Sequence, residues 1–401
     1  MAPGNIPRRW DIFCTAVDNY GDVGVAWRLA RQLAGEHGMA VRLFVDAPAV
    51  LARIAPEIDA RQDRSSAHGV DVHHWSGPQH QAPAAAIESV ADVVVEAFGC
   101  GLPATYLEAM CAQRVQPLWV NLEYLSAETW IETCHGLASR QPRLPLVRHF
   151  YFPGFTERTG GLSRERGLFA RRDAFRADPV ARAALWRTLS VEAPAPGALT
   201  VSLFCYPNPG LPALFDAWAD GDDAIACIVP DGVASAALDV WTGGAVPHAG
   251  QTLHRGRLTL ARVAFVAQDD YDRLLWTCDL NFVRGEDSFV RAQWAARPFA
   301  WHIYPQDEGA HYVKLAAFLA RYTEDLDRAQ ASAVTALWEA WNRRDEEPAE
   351  ASAPQPLAEA WAAFAARREA LQRHARRWAD RLARQRNLAE TLVDFADNVL
   401  K

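Results

Sequence analysis

The feature that most constrains this chain is a repeated alternation of short, almost wholly apolar runs with amphipathic segments of helical period. Residues 11–16 (DIFCTA) read as a buried strand and residues 23–33 (VGVAWRLARQL) as a helix. Residues 41–45 (VRLFV), 92–98 (DVVVEAF) and 117–122 (PLWVNL) read as further strands, with a helix over 106–112. A strand without polar alternation has to be covered on both faces, and a parallel sheet sandwiched between helices does this.

The alternation breaks at residues 154–167 (GFTERTGGLSRERG), a loop rich in glycine and charge, and a Pro/Ala connector occupies 192–198. A second series starts at 199 (LTVSLFCY) and continues through 224–229, 258–266, 280–284 and 299–303. Beyond about residue 309 the apolar spacing is helical. The expected organisation is α/β, with two Rossmann-like domains over residues 1–170 and 195–375, a division that suits 401 residues.

Composition removes several function classes. A net charge of −8 argues against general nucleic-acid binding, which rests on neutralising phosphates. No run of 18 apolar residues is present, so no membrane span is expected, and the N-terminus lacks the apolar core of a secretory signal. Seven cysteines with no C-x-x-C pair, mostly inside apolar runs, predict free thiols in a reducing, cytoplasmic setting rather than a zinc or disulfide framework.

Two loops look chemical, because ligands of such sheets bind beyond the carboxyl ends of the strands. The first is Asp18-Asn19-Tyr20-Gly21-Asp22-Val23-Gly24, between the leading strand and its helix. Asp22 suits a helix cap, yet two carboxylates four residues apart are more than one cap needs. The glycines do not form G-x-G-x-x-G, so a dinucleotide site is poorly supported. The second loop is Arg284-Gly285-Glu286-Asp287-Ser288-Phe289, between a strand and a helix. A glycine turn into a helix start, with an arginine before it and a serine hydroxyl at it, suits phosphate oxygens. The structural alternative makes Ser288 or Asp287 an N-cap and pairs Arg284 with Glu286.

Weaker signals read as structure. Asp269, Asp270 and Asp272 have D-x-D-like spacing, but at the start of an apolar helix acidic residues serve the dipole. His73 and His74, in a strand or at its edge before Trp75, read as surface histidines, His302 as packing near a cleft floor, and the dispersed tryptophans as core.

The segments FCTAVDNYGDVGVAWRLARQL, NLEYLSAE, GGLSRERG, AQDDYDRLLW and FVRGEDSFVRAQWAARPFAWHIYPQDEGAH resemble the bacterial protein-arginine rhamnosyltransferases that modify elongation factor P. The likeness runs from about Trp10 to Leu315. It implies a GT-B glycosyltransferase architecture with two domains facing across a cleft. A last helix, over about 380–401, would pack back on the N-terminal domain. The implied donor is dTDP-β-L-rhamnose, the acceptor an arginine of elongation factor P, and the outcome inversion, with no cofactor or metal. The resemblance makes Asp18 the general base, with Asp22 and Glu286 as further required acids. Asn19, Tyr20 and Gly21 fall on the acceptor side. Phe204, Tyr206, Gln268 and Tyr271 fall in the nucleotide pocket, and Arg284, Gly285, Asp287 and Ser288 around diphosphate and sugar. Tyr271 stands where relatives carry Phe, which keeps a stacking face for thymine. A related glycosyltransferase with another donor or acceptor, or a non-catalytic partner of a translation factor, are the competing readings.

Overall fold

The computed structural model describes residues 8–18, 20–306, 309–343 and 357–401. The chain divides into two compact units, one made of Met1–Arg166 with Ala383–Lys401 and the other of Gly167–Leu382. Each is a Rossmann-like α/β unit.

The first unit carries β1 (Arg9–Cys14), β2 (Ala40–Val45), β3 (Arg64–Ala67), β4 (Val70–His74), β5 (Val93–Ala97), β6 (Leu118–Leu122), β7 (Ala138–Arg140) and β8 (Val147–Tyr151). They form one sheet in the order β3-β4-β2-β1-β5-β6-β8-β7. The six inner strands are parallel and the two edges antiparallel. β1 and β5 are buried at almost every position, as their sequences require. Phe13, Phe44, Trp75, Tyr106 and Trp119 fill the core on one side, Phe13 stacking on Phe44 with ring centres 4.5 Å apart.

The edge strand β3 and the pair β7–β8 escaped the sequence reading, since RSSA and VRHFY lack a continuous apolar run. His73 corrects an expectation: it lies buried on β4, stacked on Phe44 at 5.0 Å, and only His74 is exposed. β1 ends two residues earlier than its apolar run, because Ala16 gives its N–H to the Asp46 carboxylate instead of to a strand. The final helix, Leu388–Val399, packs on the helix Tyr20–His37, tied by Gln32 donating to Asn387 Oδ1 at 3.1 Å.

The second unit carries β9 (Leu199–Leu203), β10 (Ile225–Pro230), β11 (Thr252–Arg255), β12 (Leu258–Val263), β13 (Leu280–Arg284) and β14 (Phe299–His302), in the order β11-β12-β10-β9-β13-β14. All pairs are parallel except β11 with β12. An aromatic core of Phe289, Phe299, Phe318, Tyr322, Trp338 and Trp378 joins this sheet to the later helices. Every tryptophan but Trp130 is buried, in keeping with the core assignment. All seven cysteines are free thiols. Among the described residues no helix is long and apolar enough to cross a membrane.

Candidate functional site

In each sheet the chain works outward from one central strand, returns, and works outward on the other side. That reversal opens a crevice beyond the carboxyl ends of the two adjoining strands. In the first unit it lies between β1 and β5, in the second between β9 and β13. Both loops singled out in the sequence follow strands at these two points.

In the first unit, three consecutive backbone N–H groups of the loop after β1 are held by carboxylates. Ala16 N–H donates to Asp46 Oδ1 at 2.9 Å, and Val17 and Asp18 donate to Asp22 Oδ2 at 2.8 and 2.7 Å. Asp22 is the third residue of its helix and is 2% exposed, so it reaches back to cap the turn that precedes it. Burial pushes its carboxyl above the ordinary range, the Asp18 and Val17 N–H groups and the Tyr124 phenol pull it down, and Asp46 adds repulsion. The Asp18 carboxylate folds over Gly21, where an added Cβ would lie 2.6 Å from Oδ2. Tyr20 presents its hydroxyl to Arg53, which donates to it at 2.6 Å and covers its ring. Asn19 lies outside the described residues.

The other wall of this crevice went unnoticed in the sequence. Phe98, just past β5, adopts φ +58°, a conformation that costs a bulky side chain about 1–3 kcal/mol. Its ring stacks on Tyr124, just past β6, with centres 4.6 Å apart and planes 21° from parallel. NLEYLSAE carried the signal for Tyr124, but only the parallel pairing of β5 with β6 brings it beside Phe98.

In the second unit Phe204 and Tyr206 follow β9 and Arg284 ends β13. The Arg284 guanidinium carbon lies 4.6 Å from the Phe204 ring centre and 4.7 Å from that of Tyr206. It also donates to Cys205 O at 3.4 Å. Tyr206 in turn meets His302 and Tyr304 edge-on at 5.3 and 5.6 Å, and Phe204 lies 5.5 Å from Tyr271. Tyr271 is half-buried with its hydroxyl inside, and burial raises its pKa well above the ordinary value. His302 is 6% exposed and held down to about 3 by burial, the Arg284 charge and His311, so it is a neutral imidazole.

The turn that follows is built on Gly285, whose φ of +60° suits glycine and whose carbonyl accepts from Trp301 Nε1 at 2.8 Å. The helix Asp287–Trp294 then begins with Glu286 in the cap position and no side-chain cap. Neither Asp287 nor Ser288 is the cap. Ser288 Oγ accepts from Arg284 N–H at 3.0 Å and hydrogen-bonds Arg284 O, which ties the turn together. A helix start of this kind directs its first backbone N–H groups and its dipole toward an anion. Asp287 Oδ2 accepts from the buried Gln268 amide at 2.9 Å. Of the D-x-D-like acids, Asp272 is buried in a forked pair with Arg291 at 3.0 and 2.6 Å, and Asp270 pairs with Arg273. Among the described residues no three His, Cys, Asp or Glu side chains are grouped to hold a metal.

The family described as elongation-factor P (EF-P) rhamnosyltransferase, EarP, matches residues 10–397. The chain belongs to this family. A protein-arginine rhamnosyltransferase of Pseudomonas putida is 51% identical over 391 residues, covering 98% of this chain and 99% of its own. A solved structure described as the structural basis for EarP-mediated arginine glycosylation of translation elongation factor EF-P is 38% identical. It has a TM-score of 0.66 and covers 98% of this chain and 99% of its own. MurG of Acinetobacter baumannii, 12% identical with a TM-score of 0.51 over 98% of this chain and 100% of its own, shares the fold. As an EarP family member the protein is an enzyme, a protein-arginine rhamnosyltransferase of GT-B architecture.

Proposed function

We propose that the protein transfers L-rhamnose from dTDP-β-L-rhamnose to an arginine side chain of translation elongation factor P, in the cytoplasm, with inversion and without a metal ion. The observation that carries the donor half is the Arg284 guanidinium between Phe204 and Tyr206 beside an uncapped helix start. Aromatic faces suit a nucleobase, and a planar cation with open N–H groups suits a diphosphate that gains charge as it leaves. A fixed cation and helix dipole supply what a divalent metal would otherwise supply.

The acceptor half rests on Asp18. A guanidinium has a pKa above about 12 and its lone pairs are delocalised, so its nitrogen attacks only if a carboxylate orients it and removes a proton. Asp18 has its backbone fixed by Asp22 and its carboxylate set against Gly21, which leaves little reorganisation for the reaction. Glu286, at the turn that holds Arg284, is the further acid. A single displacement inverts the anomeric carbon.

Incubation with dTDP-β-L-rhamnose and unmodified elongation factor P in the presence of EDTA tests this directly. The expected result is an acceptor heavier by one deoxyhexose on an arginine. A folded enzyme that binds dTDP yet adds no mass would overturn the donor sugar or the acceptor. Absence of dTDP binding would overturn the site.

A further inference from the structure

We propose that Arg176 is a positioning residue for the sugar donor: bonded to the closing carbonyls of two helices that both start at the donor pocket, its charge offsets their negative ends and strengthens the hold of their positive starts on the diphosphate. This rests on the reading of the pocket beside Arg284 as the donor site.

The helices Gln268–Thr277 and Asp287–Trp294 begin side by side, because the Gln268 amide donates to Asp287 Oδ2 at 2.9 Å. Neither start has a side-chain cap. The two helices also end side by side. Arg176, on the helix Leu168–Ala177, donates from Nε to Trp276 O at 2.9 Å and from Nη2 to Ala295 O. These oxygens belong to the closing turns of the first helix and of the second. Arg172, one turn earlier, donates to Trp294 O at 2.8 Å, and its Nε pairs with Asp173 at 2.8 Å. Arg176 bonds two backbone oxygens and, among the described residues, no carboxylate.

Capping alone does not require a cation at this place. A neutral amide would donate to the same carbonyls, and the charge is held at a cost. Burial, then the guanidiniums of Arg297, Arg172 and Arg376, push Arg176 down to about 9, with Asp173 opposing. It is still a cation at neutral pH. What that charge does follows from the length of the helices. Ten and eight residues rise about 15 and 12 Å, so the negative tail of each helix cancels part of the pull of its start on an anion. A guanidinium at the tails removes this opposition and adds attraction of its own. The path between is dry, since every residue from Ser288 to Trp294 is buried, and buried charges are screened little by salt. The starts need the help: Glu286, Asp287 and Asp269 place carboxylates there that repel a diphosphate.

The test uses the full chain with two variants. Arg176→Gln keeps a donor without the charge, and Arg176→Lys keeps the charge. Affinity is measured for dTDP by calorimetry and for thymidine, which has no phosphate, by saturation-transfer NMR. Arg176→Gln is expected to weaken dTDP by about threefold to tenfold and thymidine by less than about 1.5-fold. Arg176→Lys is expected to stay within about twofold of the wild type for both ligands. Arg172→Gln repeats the pattern more weakly, because Asp173 already offsets part of its charge, and it carries the test if Arg176→Gln does not fold. Unchanged dTDP affinity in Arg176→Gln overturns the proposal. So does an equal loss for both ligands, or a loss that Arg176→Lys shares, since either makes Arg176 a structural cap. A wild-type enzyme that does not bind dTDP overturns the donor reading and the proposal with it, whereas wild-type binding with unchanged variants overturns the proposal alone.

Discussion

Asp22 holds Asp18 by its backbone: the Asp18 N–H donates to Asp22 Oδ2 at 2.7 Å, from the first turn of the helix back to the loop before it. The two acids are therefore not equivalent members of a pair. One is buried and committed to the chain, and the other lies folded over Gly21.

That difference separates stability from activity at Asp22. Its pKa is raised in the folded protein, so the fold binds the proton more tightly than the unfolded chain does. The contribution is favourable below the unfolded value of 3.8 and is lost as pH rises through the raised value, leaving a cost at neutral pH. Asp22→Asn removes that charge while keeping an acceptor oxygen. The expected outcome is an equal or higher melting temperature at pH 7 with turnover reduced by about tenfold or more. A thermal melt beside a rhamnosyl-transfer assay checks it, and a variant both destabilised and fully active would contradict it.

Gly21→Ala separates the same two quantities by sterics. Gly21 is helical, and alanine in a helix is favoured by about 0.5–1 kcal/mol. The new Cβ, however, meets Asp18 Oδ2 at 2.6 Å and has to push that carboxylate aside. Melting is expected to be unchanged or improved while kcat falls by about 10–100-fold.

At Arg284 the prediction turns on shape rather than charge. Arg284→Lys keeps the cation but loses the flat face between Phe204 and Tyr206. Affinity for dTDP, measured by calorimetry, is expected to weaken by about fivefold to tenfold, or about 1–1.4 kcal/mol. Equal affinity would remove Arg284 from the nucleotide site.

Two buried histidines set the acid side of stability. His302 is held down to about 3 and His374 to about 4, both mainly by burial, against an unfolded value of 6.5. Below pH 6.5 the unfolded chain takes up protons that the fold refuses, so stability falls with pH by up to about 1.4 kcal/mol per unit per histidine. Urea midpoints measured between pH 5 and 7.5 should decline toward acid. His302→Gln should flatten that decline, and an identical slope in the variant would show that other groups dominate.

The sequence by itself determined the two α/β series, the strands that carry both loops and the residue types in them. Buried parallel strands need continuous apolar runs, and such runs are legible without neighbours. It also held Asp18, Asp22, Arg284 and Glu286 within two short motifs. Only the tertiary structure decided what each side chain does in the folded chain. Ser288 read as a phosphate ligand or an N-cap, and in the fold its hydroxyl bonds Arg284 O four residues back. Asp22 read equally as a cap or an acid, and the cap it makes runs backward to Val17 and Asp18. His73 read as surface because HH before a tryptophan looks polar, yet the register of β2 with β4 sets it against Phe44. Phe98 and Tyr124 carried no signal as a pair, since they lie 26 positions apart and meet only through the pairing of β5 with β6. Local pattern fixes which segments become strands and helices. Which polar atoms are used up inside the fold, and which stay open to a ligand, depends on strand order, and strand order is set by long-range packing.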